Sequence, residues 1–148
     1  MDTIPSFDGK YRFLSNFYPA EIVWGGLRYP TSEHLYHAMK AATEAGREWV
    51  RAAPTAASAK SRGRQIKRVG GWGAKRVDVM RTVLLAKFGQ HPKLAAKLIA
   101  TGDAELVEGN TWGDTFWGRD LATGRGDNRL GKLLMELRGT LETTDAAA

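Results

Sequence analysis

Glu33, His37 and Lys40 stand at i, i+4 and i+7 within Thr31-Ser32-Glu33-His34-Leu35-Tyr36-His37-Ala38-Met39-Lys40. Seven helical residues turn through roughly 700° and rise about 10 Å, so Glu33 and Lys40 share one side of a helix. A carboxylate and an amine at that separation could flank a sugar from one wall. The carboxylate would move protons and the amine would attack carbon. The same spacing also builds a solvent-facing Glu–His–Lys charge ladder, worth about a few tenths of a kcal/mol per pair. On spacing alone the ladder is favoured, since most such rows are surface decoration.

A second cluster is Asn110-Thr111-Trp112-Gly113-Asp114-Thr115-Phe116-Trp117-Gly118. A loop is a poor place to hide two indoles from water. One use is a stacking surface for a base, with Asp114 recognising a ribose hydroxyl or assisting the chemistry. The other is Trp112 or Trp117 plugging the core, and the sequence leaves both open. Farther along, Gly124-Arg125-Gly126-Asp127-Asn128-Arg129 leads into the last helix. Backbone N–H groups and two arginines there suit a phosphate. Asp127 would repel an anion, however, so plain capping by Asp127 or Asn128 is favoured. There are no cysteines and three histidines. Without an HExxH motif, a nucleophile elbow or a Walker loop, no metal site and no cofactor are expected.

The elements that must hold these residues read as α+β, mostly helical, with a small antiparallel hairpin, in one domain over 1–148 with a core at about 7–141. Phe13–Phe17 reads as a short strand or extended segment. Glu21–Trp24 and Leu27–Tyr29, split by Gly25-Gly26, read as a β-hairpin. Thr31 or Ser32 caps a helix predicted to run to about Ala45 and stop at Gly46, with Leu35, Met39 and Ala42 as its core stripe. Arg47–Ala53 gives a short helix ended by Pro54. Thr55–Arg68 reads as helix interrupted at Gly63, and Gly70–Gly73 as a loop carrying Trp72. Ala74–Phe88 is an amphipathic helix with Val77, Met80, Leu84 and Lys87-Phe88 at helical spacing. Pro92 opens another helix ending before Gly102, and Leu106-Val107 is a candidate strand. Residues 109–127 read as a glycine- and tryptophan-rich loop. A last helix buries Leu130, Leu133, Leu134, Leu137 and Leu141, and Thr143 onward reads as a tail (143–148).

Of 148 residues, 43% are hydrophobic and 26% charged, which is globular composition. No apolar run is long enough for a membrane span, so no membrane partner is expected. The absence of cysteine and of a signal-like N-terminal segment fits a cytoplasmic protein. The net charge of +6 is uneven: residues 47–76 hold nine Lys/Arg against one acid, Glu48. A basic insert on a near-neutral body fits an anionic partner such as DNA or RNA, and fits a solubilising surface equally well.

Taken together the segments resemble the NADAR family, also called YbiA-like. Phe13-Leu14-Ser15-Asn16-Phe17-Tyr18-Pro19 and Tyr29-Pro30-Thr31-Ser32-Glu33-His34 through Lys40 carry the resemblance first. Trp72, Met80, Lys87-Phe88, Thr101-Gly102-Asp103, Leu106-Val107-Glu108, Asp114–Gly118 and Asn128–Met135 follow in the expected order. The resemblance implies a YbiA-like fold and N-glycosidase activity. Its members are associated with ribosylamine intermediates of riboflavin synthesis, or with ADP-ribose on guanine in nucleic acid. It implies Glu33, Lys40 and Asp114 as catalytic, and Trp72, Trp117, Gly118 and Asn128, with Arg12 and Asn16, as substrate-binding. The position of His37 is commonly glutamine in the family, so His37 is assigned no role.

In both implied substrates the anomeric carbon carries an amine-type nitrogen. Such a ribosylamine can open to an imine, which a lysine can take over while Glu33 shuttles protons. The leading expectation is therefore removal of ADP-ribose from guanine, with segment 47–76 touching the nucleic acid. Hydrolysis of a phosphorylated ribosylaminopyrimidine is the alternative, and a non-catalytic ADP-ribose or nucleic-acid binding module is the third.

Overall fold

The computed structural model describes residues 2–147, with side chains through Thr144. In chain order the elements are β1 (Thr3–Ile4), a 3-10 helix (Gly9–Leu14), β2 (Ile22–Trp24), β3 (Leu27–Tyr29), α1 (Ser32–Met39), α2 (Glu44–Arg51) and α3 (Ala56–Gly63). They continue with α4 (Trp72–Gln90), α5 (Pro92–Ala100), β4 (Glu105–Leu106), β5 (Gly109–Asn110), β6 (Arg119–Asp120) and α6 (Arg129–Ala147). The fold is α+β and mostly helical, as the sequence indicates. Among the described residues no helix is long and apolar enough to cross a membrane. The chain divides into two compact units, Asn16–Gln90 and a second formed by the residues up to Ser15 with those from His91 onward.

In the Asn16–Gln90 unit, β2 and β3 pair antiparallel, with Ile22 opposite Tyr29 and Trp24 opposite Leu27. Gly25 and Gly26 at the turn have φ of 57° and 79°, a left-handed pair that matches strand twist and favours glycine. Gln90 pins the hairpin to the end of α4, donating to the Val23 carbonyl at 2.9 Å and accepting from its amide at 2.8 Å. The centre of the unit is α1, which packs against α2, α3, α4 and β3. Every residue of Ser32–Ala38 is buried. Thr31 caps this helix, its hydroxyl accepting the His34 amide at 3.1 Å. That hydroxyl can also donate to His34 Nδ1 at 2.8 Å while His34 Nε2 faces the Ala53 carbonyl at 2.9 Å, so His34 is a satisfied core histidine.

In the second unit β1 and β4 run parallel, as do β5 and β6; these two parallel pairs add to the expected antiparallel hairpin. Helix α6 packs on β4 and α5, burying Leu130, Leu133, Leu134 and Leu137. Buried Arg138 donates to the Ala104 carbonyl at 2.8 Å and to the Thr101 hydroxyl at 2.9 Å, fixing the loop between α5 and β4.

Several local expectations are corrected. Phe13 and Leu14 belong to the 3-10 helix, not to a strand or extended segment. Both are buried, and neighbours in a strand would face opposite sides. Helix α1 ends at Met39 rather than near Ala45, because tertiary pairing captures the backbone that would continue it. The Ala42 amide donates to the Lys67 carbonyl at 2.9 Å, Val69 donates to the Lys40 carbonyl at 2.8 Å, and Ala41 bridges Arg68. Leu35 is core, but Met39 is only half-buried and Ala42 is exposed, so the expected stripe shrinks to one residue. Gly46 is no stop: Thr43 caps α2 by accepting its amide at 3.0 Å.

Helix α3, capped by Thr55 in a reciprocal exchange with Ser58, ends at Gly63 instead of resuming to Arg68, because residues 67–69 pair with the segment after α1. Trp72 is the first residue of α4 rather than a loop residue, because its indole is buried against Tyr36 at 5.5 Å between ring centres. That burial outweighs the roughly 1 kcal/mol that Gly73 costs inside a helix. Residues 109–127 contain β5 and β6 within the expected loop. Residues 143–147 are helical, not tail, with Thr140, Thr143 and Thr144 each returning a hydrogen bond to a carbonyl four residues back. Residue 148 lies outside the described residues.

Candidate active site

Burial decides between the two readings of the Glu33–His37–Lys40 row. Their exposures are 7%, 5% and 7%, so this is not a solvent-facing ladder. Three ionisable side chains on one face of a buried helix are costly unless something uses or pairs them. Glu33 Oε1 accepts from His37 Nε2 at 2.5 Å, one turn along. Burial pulls the imidazole below its ordinary value, with Lys40 and Lys60 adding to that and Glu33 opposing it. Lys40 caps the C-terminus of α1, its Nζ 5.2 Å from the centre of the Tyr36 ring. Burial first, then the guanidinium of Arg68, brings Lys40 down to about 8 from an ordinary 10.5. Arg68 arrives there through the bridge of its segment to Ala41.

Around these groups stand Tyr36, Trp72 and Asn16. Tyr36 meets the His37 ring edge-on at 5.1 Å and Trp72 from its other neighbour α4. Asn16 is tied into the start of α1: its carbonyl accepts the Glu33 amide at 3.1 Å and its Oδ1 accepts the Ser32 hydroxyl at 2.8 Å. Its amide nitrogen points to Met80 Sδ at 3.4 Å. In this unit, then, Glu33, Lys40, Trp72 and Asn16 all converge on α1.

The other candidates lie in the second unit. Asp114 is a loop organiser, its Oδ1 accepting the Phe116 and Trp117 amides at 3.1 and 2.9 Å. Asn110 closes the same turn from both sides, accepting from the Asp114 amide at 3.0 Å and donating to its carbonyl at 2.8 Å. Trp117 is half-buried and meets Phe116 edge-to-face at 4.8 Å, while Trp112 is 64% exposed. Neither indole is a core plug. Gly118 is buried where any side chain would run into Glu108, so glycine is required there. Asn128, fully buried with φ of 50°, accepts the Glu108 amide and donates to the Leu106 carbonyl, both at 2.9 Å. Its side chain thus stitches the end of β4 to the start of α6. Arg12 is exposed on the 3-10 helix.

Two groups escaped sequence reasoning. His37 was assigned no role, yet it is the hydrogen-bond partner of Glu33. Lys87 is fully buried, and desolvation lowers it to about 7. Its Nζ lies 5.2 and 5.9 Å from the Phe88 and Tyr18 rings. The signal was present, since Met80, Leu84 and Lys87 share one helical face and the first two are core. Among the described residues no group of three or more metal-ligating side chains is assembled.

Of the nine cations in residues 47–76, Arg51 is held by Glu48 and the Arg28 carbonyl. Arg62 covers the Trp49 ring at 5.0 Å and donates to the Trp49 carbonyl at 2.8 Å. Arg47, Arg64, Lys67, Arg68 and Lys75 are exposed. Trp49 itself is 41% exposed among them.

The NADAR domain family model matches residues 6–142. The chain is 43% identical to the N-glycosidase YbiA of Escherichia coli (strain K12) over 145 residues, covering 95% of this chain and 89% of that one. It is 42% identical to a riboflavin biosynthesis protein of Vibrio vulnificus, across 91% of this chain but 37% of that longer protein. The NMR structure of E. coli YbiA superposes with a TM-score of 0.87 at 38% identity, covering 99% of this chain and 87% of that one. With a family model spanning nearly the whole sequence and relatives this close, the chain belongs to the NADAR domain family.

Proposed function

We propose that this N-glycosidic-bond hydrolase removes ADP-ribose from guanine bases in nucleic acid, with Lys40 as nucleophile and Glu33 as proton carrier. The observation that carries the reading is the burial of a carboxylate and a low-pKa amine on one face of α1. In the proposed sequence the lone pair of the exocyclic nitrogen opens the furanose to an imine, the ring oxygen taking its proton from solvent while Glu33 stays ionised beside His37. The free Lys40 amine adds to the anomeric carbon, Glu33 moves a proton from the resulting ammonium to the guanine nitrogen, and the C–N bond breaks. Water then adds to the Lys40 imine as Glu33 takes its proton, Glu33 returns that proton to the Lys40 nitrogen as its bond to carbon breaks, and the sugar leaves as the aldehyde that recloses. No cofactor enters these steps. Trp117, half-buried on the turn that Asp114 organises and that Gly118 and Asn128 hold in place, is the stacking surface for a purine or ribose, with Arg12 an exposed cation for phosphate.

The polyanionic substrate is supported by the exposed cations of α2, α3 and the segment to α4, with Trp49 among them as a base-stacking surface. The second reading, hydrolysis of a phosphorylated ribosylaminopyrimidine, is favoured by the Vibrio relative's riboflavin biosynthesis name. Incubation with an ADP-ribosylated oligonucleotide and, separately, a ribosylaminopyrimidine phosphate distinguishes them. Release of free ADP-ribose from the first supports the proposal; release of ribose phosphate from the second alone moves the substrate to the alternative. Turnover of neither refutes the enzymatic reading and leaves a binding module.

A further inference from the structure

We propose that His37 is the positioning residue of Glu33: its Nε2–H holds Oε1, so that the other carboxylate oxygen is presented for proton transfer. The inference rests on Glu33 being the proton carrier. With the Glu33 carboxylate ionised, the geometry places the imidazole proton on Nε2. Nδ1 is buried and has no hydrogen-bond partner among the described residues. Nε2 lies 2.5 Å from the carboxylate. A proton on Nδ1 would strand a buried donor and leave two lone pairs facing each other across that short gap. On Nε2 it makes a charge-assisted bond and leaves only an unused acceptor.

The ring is kept there from behind by Gly63. A Cβ on Gly63 would stand 2.6 Å from His37 Nδ1 and 2.8 Å from its Cβ and Cγ, closer than real contacts allow. Glycine at the end of α3 therefore lets α1 and α3 approach until the imidazole is clamped between helix backbone and carboxylate. The Tyr36 ring meets its side edge-on. The charged groups facing the imidazole are Glu33 and Lys40 from its own segment and Lys60 from α3. Burial above all, and then the two cations, disfavour a second proton on the ring.

The test compares His37→Leu and His37→Gln, each alone and with Glu33→Gln, on both substrates above, with thermal melts confirming folding. Glutamine keeps an N–H donor at i+4 from Glu33, and leucine does not. His37→Leu is expected to lower kcat about tenfold or more with KM nearly unchanged, and His37→Gln to restore it to within about threefold. In the Glu33→Gln background, which should itself be nearly inactive, His37→Leu should cause no further loss. Should His37→Leu fail to fold, Gly63→Ala, which pushes the ring off the carboxylate, is expected to reproduce its kcat defect. Equal activity of His37→Leu and wild type overturns the proposal, as does a His37→Gln as weak as His37→Leu, or an additive loss on Glu33→Gln. Full activity of Glu33→Gln instead overturns the role of Glu33 itself.

Discussion

Lys40→Arg keeps a cation at the end of α1 and removes the amine that the proposed chemistry needs. An amine attacks carbon only when unprotonated. A lysine at the ordinary 10.5 would be free in about 0.03% of molecules at pH 7, whereas Lys40 at about 8 is free in roughly one in ten. The gain in reactive form is about 300-fold. Its larger part comes from burial under α1 and its neighbours, and the rest from Arg68, Arg64 and Lys60. Below pH 8, kcat/KM should climb about tenfold per pH unit and then level off. Borohydride added during turnover should leave a reduced sugar adduct on the Lys40 peptide, read by mass. Lys40→Arg should be inactive and untrapped while still binding ligand, because a guanidinium stays protonated. Arg68→Gln removes an exposed cation, so the acid limb should move up by only about 0.2–0.7 pH units. A kcat/KM that falls as pH crosses 8, or an active Lys40→Arg, would refute the imine route and make protonated Lys40 an anion anchor.

Three further outcomes are expected. Trp117→Ala should keep a cooperative melt, since the indole is only half-buried, and should weaken ADP-ribose binding by about 1–3 kcal/mol in calorimetry. Reversing exposed Arg47, Lys67 and Lys75 to Glu should raise KM for the oligonucleotide and flatten its salt dependence, leaving kcat within about twofold. Arg64 and Arg68 are left out because they influence Lys40. Lys87 concerns stability: it binds its proton at about 7 when folded but near 10.5 when unfolded. The unfolded chain therefore holds more protons between those values, and stability should rise with pH by up to about 1.4 kcal/mol per unit. Melts of Lys87→Met from pH 7 to 9 should show a shallower rise and a higher Tm at pH 7.

What the sequence made legible is what depends on neighbours along the chain. The Gly25-Gly26 hairpin, the Thr31 cap and the leucine face of α6 are each set by a residue's own backbone preference or by helical period. What it hid depends on partners far away. Nothing near Met39 announces that α1 must stop there. The helix yields because residues 67–69 offer its next amides and carbonyls a competing ladder. That exchange also carries Arg68 to Lys40, so one tertiary pairing both ends the helix and prepares its last residue.

The same distinction explains why spacing misjudged the Glu33–His37–Lys40 row. Periodicity says which residues share a side but not which side faces water, and the rule that charges face outward selects the surface ladder. That rule fails on α1 because the helix has no outer face: α2, α3, α4 and β3 surround it, and small Ala38 and Gly63 allow the close approach. Only the family motif pointed the other way for Glu33 and Lys40, and it assigned His37 no role. The place of His37 on that face is set from outside the helix: Gly63, where any side chain would meet the imidazole, leaves room for the ring beside Glu33.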